Sequence, residues 1–350
     1  MAKITQRNPP KVNIAVVGLG FMGVTHLRAY QQIPAARIYA VCGAGRLPKD
    51  GLLAGVSGNI AGHEAIRLGT RVLVYRKFDE VLADPDVDAV DLCVPTSLHP
   101  TFTIAALRAG KHVICEKPLA RTSALGREIL RATGTARGYF MPAMCLRFWP
   151  EWKWLKEVVD QKTFGKVLAV RLRRVSEPPG WGRGNYFNGR ASGGALLDLH
   201  VHDADFIQWL FGRPITVFAA GLTRFSGAID HVVAQYQVRG GATVSAEASW
   251  LMTKGHGFSM AYTANFERAT ADYDSARGPE ALRLFEEGRS PRVIRCKGSN
   301  GYVQELSYFI QCVQAGKPPR VVTAQDGLSA VEICEAAEKS AKSGRMVAVK

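Results

Sequence analysis

The chain has 350 residues, 47% hydrophobic and 21% charged, with 45 Lys and Arg against 30 Asp and Glu and a formal net charge of +15. That length favours two domains over one, and no run approaches the roughly 18 apolar residues a membrane span needs. The basic residues are spread along the chain and form no nucleic-acid-binding motif, so the excess reads as a general attraction for anions such as nucleotide phosphates.

Seven scattered cysteines without a C-x-x-C pair suit a reduced, cytoplasmic protein. The opening segment MAKITQRNPPKV lacks the apolar stretch of a secretory signal and reads as a loose arm over residues 1–11. VNIAVVG at 12–18 is a continuous apolar run, as expected of a strand buried on both faces. ARIYAVCG, RVLVY, VDAVDLCV and KHVICE repeat that signature, with helical segments at 21–32 and 100–108 between them. Such alternation predicts an α/β fold with an N-terminal Rossmann doubly wound parallel sheet over 12–120. Residues 43–70 break the pattern and read as a long loop with a short helix. From about residue 165, GKVLAVRLRRV, TVFAAGLTRF, HVVAQYQVRG, ATVSAEASWLM and GFSMAYTANFERATADY are strand-like. They predict a C-terminal α+β domain, 121–350, built on a large, mainly antiparallel open sheet, with closing helices near 303–315 and 324–342.

VVGLGFMGVTH places Gly18, Gly20 and Gly23 as G-x-G-x-x-G after a strand and before a helix. In that setting Gly18 permits the tight turn, Gly20 lets backbone approach a pyrophosphate, and Gly23 lets helix and strand pack closely. Phe21 and Met22 ride on the same loop. The second strand ends in Gly43 and Ala44, where an NAD site usually has a carboxylate, and Arg46 follows. That favours NADP(H) over NAD(H), because an arginine attracts the 2′-phosphate that a carboxylate would repel. KHVICEKPLA ends the fifth strand with Glu116, Lys117 and Pro118, and ligands in such sheets sit beyond strand carboxyl ends. Lys117 there can polarise or protonate a substrate oxygen, with a depressed pKa.

GALLDLHVHDADF, residues 194–206, admits two readings. As a strand it would put Asp198, His200 and His202 on one face, a plausible metal set. As a helix it gathers Asp198, His202, Asp205 and Trp209 within an arc of roughly 60°, opposite Leu196, Leu199 and Phe206. The helix is preferred, since a strand this long would bury several charges; no metal is expected. Asp198 and His202 are then neighbours one turn apart, His200 is a hydrogen-bonded core residue, and Asp203 needs a buried partner such as His200.

With these motifs in view, the chain resembles the glucose-fructose oxidoreductase/inositol dehydrogenase/MocA (Gfo/Idh/MocA) family over nearly its full length. The resemblance rests on G-x-G-x-x-G, the turn from Pro95 to His99, E-K-P, SGGALLDLHVHDAD, GYVQELSYFIQCVQAGKPP and AQDGLSAVEICEAAEKSAKSGRMVAV. It implies that Pro95, Thr96, His99 and Glu116 join the cofactor site, and that the Lys117–Pro118 bond is commonly cis. It also implies a homodimer or homotetramer formed through the open C-terminal sheet. Two departures are Ser97, where many relatives have Asn, and the long loop after the second strand. The activity implied is hydride transfer between a nicotinamide cofactor and a hydroxyl or carbonyl carbon of a sugar, sugar acid or polyol. His202 is the expected general base, tuned near neutrality, with Asp198 orienting the hydroxyl and Lys117 stabilising the oxygen. Arg147, Trp149, Trp181 and Arg190 are substrate-side candidates, because rings stack on sugar faces and guanidinium groups hold hydroxyls or carboxylates. Trp152 and Trp154 read as packing residues. Competing readings are an NAD-dependent glycoside hydrolase of the same fold, a non-catalytic dinucleotide or sugar sensor, and a metal hydrolase. Neither nucleic acid nor a membrane is an expected partner.

Overall fold

A computed structural model describes residues 10–45, 47–58 and 64–350, without the side chains of Trp181 and Arg183. Six parallel strands form the first sheet in the order Leu73–Tyr75, Ala36–Cys42, Val12–Val17, Ala89–Leu92, His112–Glu116, Phe140–Ala143. The strand order reverses between Val12–Val17 and Ala89–Leu92, so a crevice opens beyond their carboxyl ends. The central strands are buried on both faces because helices cover both, as the largely apolar runs VNIAVV and AVDL require. Phe140–Ala143 extends this sheet past residue 120, where the sequence reading places its end. That strand is four residues long and contains Pro142, so it carries little periodic signal.

The segment 43–70 departs from the sequence reading. Its described part contains a two-residue antiparallel pair, Leu52–Leu53 with Ile66–Arg67, and no helix; 59–63 lie outside the described residues. The second sheet has nine strands, running from Arg292–Val293 through Leu282–Glu286, Ala269–Asp274, Phe258–Phe266, Val167–Ser176, Thr243–Ser249, His231–Gln237 and Thr216–Leu222 to Val347–Ala348. All neighbours are antiparallel except Val167–Ser176 with Thr243–Ser249. One face is covered: Val170, Leu172, Val232, Ala234, Val244 and Ala246 are buried, and the helices Pro150–Asp160, His200–Phe211 and Ala324–Ser343 pack over it. Trp152 lies fully buried in this layer, edge-on to Phe206 and Tyr262. The other face leaves Phe218, Val233 and Phe285 exposed, alternating with the buried set as strand geometry requires. The closing helices run Gly301–Gln314 and Ala324–Ser343. Among the described residues no helix is long and apolar enough to cross a membrane.

Candidate active site

The first wall of the site is made by backbone. Gly18 has φ +95°, and a Cβ there would run into the carbonyl oxygen of Cys93. A Cβ on Gly23 would strike the carbonyl of Gly18, so Gly23 packs helix on turn and does not line the cavity. Gly20, by contrast, faces open space and does line it. Gly20 also begins the helix Phe21–Tyr30, which has no side-chain cap. Its first N–H groups are therefore left for an anion, with the positive end of the helix dipole behind them. These features fit a dinucleotide pyrophosphate.

The cavity they border is about 630 Å³ and is also lined by Met22, Gly43, Ala44, Arg76, Pro95 and Thr96. Gly18, Gly20, Phe21, Met22, Pro95, Thr96 and Glu116 are thus brought together around it, as the sequence reading has them. His99 is not. It is buried, its ring bridging the carbonyls of Val94 (2.9 Å) and Pro118 (2.8 Å), so it ties two strand-end turns together from behind. Arg46 lies outside the described residues. Arg76, just beyond the third strand, is a basic lining residue that sequence reasoning passed over.

The second wall is made by side chains. Glu116 ends the fifth strand, Lys117 follows it, and the Lys117–Pro118 peptide is cis. Lys117 Nζ donates to Asp198 Oδ1 at 2.9 Å and to the Asp198 carbonyl at 2.8 Å. Asp198 ends the helix Gly194–Asp198, and a second helix, His200–Phe211, starts after Leu199. The expected continuous helix is therefore broken, and a long-range contact goes with the break: Lys117 occupies the Asp198 carbonyl, and the N–H of His202 turns to Leu199 O at 3.2 Å. Asp198 and His202 still line one pocket with Lys117, together with Trp149, Tyr186 and Trp250. Phe21, Met22, Glu116, Lys117, Tyr186 and Asp198 line both this pocket and the dinucleotide cavity, which makes them the junction of the two.

Charge in the pocket differs from the sequence expectation. Burial would lower the Lys117 pKa, but the carboxylates of Asp198 and Glu116 outweigh it and hold the pKa above the usual lysine value. Lys117 is an ammonium, not a depressed base. Burial, then the cations Lys117 and Arg174, hold His202 well below the ordinary histidine range rather than near neutrality. Its ring is neutral, and Nδ1 is buried with no hydrogen-bond partner among the described residues.

Several substrate-side expectations are corrected. Arg147 is 4% exposed and binds Asp205 with two nitrogens, at 2.9 and 2.6 Å, besides Asp326 at 3.2 Å. Its guanidinium also lies over Trp209. Asp205 and Trp209 thus belong to this buried clamp, not to a stripe facing the pocket. Asp203 finds Arg174 (3.1 Å), not His200, and His200 pairs with the Tyr236 hydroxyl. Arg190 is exposed and lines neither cavity. Trp149 does reach the pocket, edge-on to Tyr302, while the Trp181 side chain lies outside the described part. The sequence reading missed Arg174, Trp250, Phe258 and Tyr302 as lining residues. Arg174 had a signal: strand alternation places it with Val170 and Leu172 on the buried face, where a charge needs a reason.

A doubly wound sheet with an uncapped glycine turn, opening beside a buried lysine and a neutral imidazole, defines a dinucleotide-dependent oxidoreductase with a separate substrate wall. The family model for the oxidoreductase family with NAD-binding Rossmann fold matches residues 12–142, and that for the GFO/IDH/MocA C-terminal domain matches 152–271. The chain belongs to the GFO/IDH/MocA family of nicotinamide-dependent oxidoreductases. It is 29% identical over 349 residues to a myo-inositol 2-dehydrogenase of Thermotoga maritima, covering 96% of this chain and 98% of that one. A levoglucosan dehydrogenase of Pseudarthrobacter phenanthrenivorans is 30% identical over 209 residues, 58% of this chain and 52% of its own. Among solved structures, a levoglucosan dehydrogenase in complex with NADH and L-sorbose shares the fold with a TM-score of 0.82 at 22% identity, over 97% of this chain and 99% of that one. A probable dehydrogenase from Thermotoga maritima gives 0.75 at 26%, with 97% and 99% covered.

Proposed function

We propose that the protein oxidises a CH–OH group of a sugar, sugar acid or polyol, or reduces the corresponding carbonyl, with Lys117, Asp198 and His202 as the groups that touch the reacting oxygen. The observation that carries this reading is the shared pocket: an ammonium and a neutral imidazole, whose Nδ1 has no hydrogen-bond partner among the described residues, line one space that adjoins the larger cavity. A nicotinamide bound in that cavity supplies the hydride acceptor. His202, already unprotonated, accepts the hydroxyl proton as general base. Lys117 stabilises the oxygen as negative charge grows on it, and Asp198 holds the ammonium in place. Trp149, Tyr186, Trp250 and Tyr302 offer ring faces and edges to the carbon skeleton. The T. maritima and P. phenanthrenivorans relatives, named for myo-inositol and levoglucosan, support a polyhydroxylated substrate.

The cofactor preference proposed is NADP(H). Gly43, Ala44 and Gly45, which follow the second strand where an NAD site usually has a carboxylate, line the cavity, and Arg76 lines it too. Self-association through the open face of the nine-stranded sheet is supported by the exposed Phe218, Val233 and Phe285. The test is a dehydrogenase screen over sugars, sugar acids and inositols with NAD and NADP, read at 340 nm. Turnover of at least one such compound, faster with NADP at equal concentration, is expected. Absence of turnover across the panel, or release of a glycoside aglycone without net cofactor reduction, would overturn it.

A further inference from the structure

Behind the junction of the two cavities lies a buried charged cluster that the proposed reaction does not use. His26, on the helix that opens at the glycine turn, is fully buried. Its Nδ1 lies 2.8 Å from Asp91 Oδ2, and its Nε2 lies 3.1 Å from Glu116 Oε1, an ion-pair contact rather than an aligned hydrogen bond. The other Glu116 oxygen accepts the backbone N–H of Lys117 at 3.0 Å. Burial would lower the His26 pKa, but Asp91 and Cys93 outweigh it, and the ring is held well above the usual histidine value. His26 and Lys117 in turn overcome burial and keep Glu116 below the usual carboxylate range. Glu305, from the helix Gly301–Gln314, faces the same cluster; burial first, then Glu116, drives its pKa up, and neither of its oxygens has a hydrogen-bond partner among the described residues.

A charge count singles out one group. Asp91 is matched by His26, Asp198 by Lys117, and Glu305 is neutral. Glu116 is left as the surplus anion, and it lines both cavities. An oxidised nicotinamide ring is cationic and a reduced one is neutral, so a fixed anion at that junction discriminates between them. We propose that Glu116 biases the site towards the oxidised cofactor, and that His26 is a positioning residue that holds the Glu116 carboxylate at the junction. The proposal rests on the reading of the larger cavity as the nicotinamide site, and it concerns which redox form binds rather than the chemistry of the substrate.

The experiment is equilibrium binding of the oxidised and the reduced cofactor, followed by quenching of tryptophan fluorescence (Trp149 and Trp250 line the pocket). Glu116→Gln, nearly isosteric, weakens the oxidised form on the order of tenfold relative to the reduced form, the scale of one unit charge acting over several ångström. His26→Gln removes the cation that, against burial, keeps the Glu116 carboxyl ionised at 3.1 Å, so Glu116 takes up a proton and the ratio of the two dissociation constants moves in the same direction. Because His26 acts through Glu116, adding His26→Gln to Glu116→Gln leaves the ratio where Glu116→Gln alone puts it. A merely structural role lowers both affinities alike and leaves the ratio fixed. A ratio unmoved by Glu116→Gln overturns the proposal even if His26→Gln does not fold. So does a His26→Gln effect on the ratio that persists in full without Glu116. A wild-type chain that binds neither form would overturn the nicotinamide reading and this inference with it.

Discussion

The two walls of the cleft are built on different principles. On the dinucleotide side the recognising atoms are backbone: a glycine turn at Gly18, an open approach at Gly20, and the uncapped start of a helix. On the substrate side they are side chains on a broken helix, held by ion pairs that cross the structure: Lys117 with Asp198, Arg174 with Asp203, Arg147 with Asp205. The first wall is set by local geometry. The second depends on distant partners. Its chemistry can therefore diverge while the cofactor grip stays the same, as expected of functions grafted onto a common scaffold.

This contrast predicts that changes behind the second wall act first on stability. Arg147→Ala leaves Asp205 buried without its two-nitrogen partner and should cost about 3–5 kcal/mol in unfolding free energy. Turnover per folded molecule should stay near wild type, because Arg147 does not line the pocket. Urea denaturation alongside an activity assay checks both halves. A raised KM with unchanged stability would restore Arg147 as a substrate residue.

A second, somewhat smaller effect follows from pH. Burial and Arg174 lower the His200 pKa from 6.5 to about 4. Between those values the unfolded chain binds a proton that the folded chain refuses, so stability falls as pH drops through this window. The contribution is on the order of 3 kcal/mol, lost by about pH 4. Unfolding free energies at pH 7 and pH 4.5 should differ less in His200→Gln, which keeps a polar partner for Tyr236 but does not titrate; an equal difference in both proteins would contradict the assignment. The smallest effect concerns the cofactor wall. Arg76→Ala should weaken NADP(H) about tenfold, roughly 1.4 kcal/mol, while sparing NAD(H), since only the former carries a 2′-phosphate. Isothermal titration with both nucleotides decides it.

What the sequence made legible follows the same division. The glycine turn, the helix 21–30 and the Glu116–Lys117 strand end can be read because each is a local requirement of backbone geometry or strand position. The nine-stranded sheet is legible in its alternation, except for short strands such as Leu282–Glu286. The break at Leu199 was not legible, because no Gly or Pro marks it; the contact that accompanies it comes from a lysine 81 residues before Asp198. Arg174 and Asp203 are 29 residues apart and Arg147 and Asp205 are 58, distances at which periodicity carries no pairing information. The stripe expected of Asp198, His202, Asp205 and Trp209 is divided for that reason. The pocket keeps the first two, and the core takes the others.

If chemistry resides in the side-chain wall and cofactor grip in the backbone wall, His202→Ala and Lys117→Ala separate the rate of a single turnover from the dissociation constant of the reduced cofactor when both are measured. The predicted result is a rate lower by roughly 10²–10⁴-fold in each, with cofactor affinity within a few-fold of wild type. Full single-turnover rates in either variant, or a loss of cofactor binding large enough to explain the drop, would contradict it.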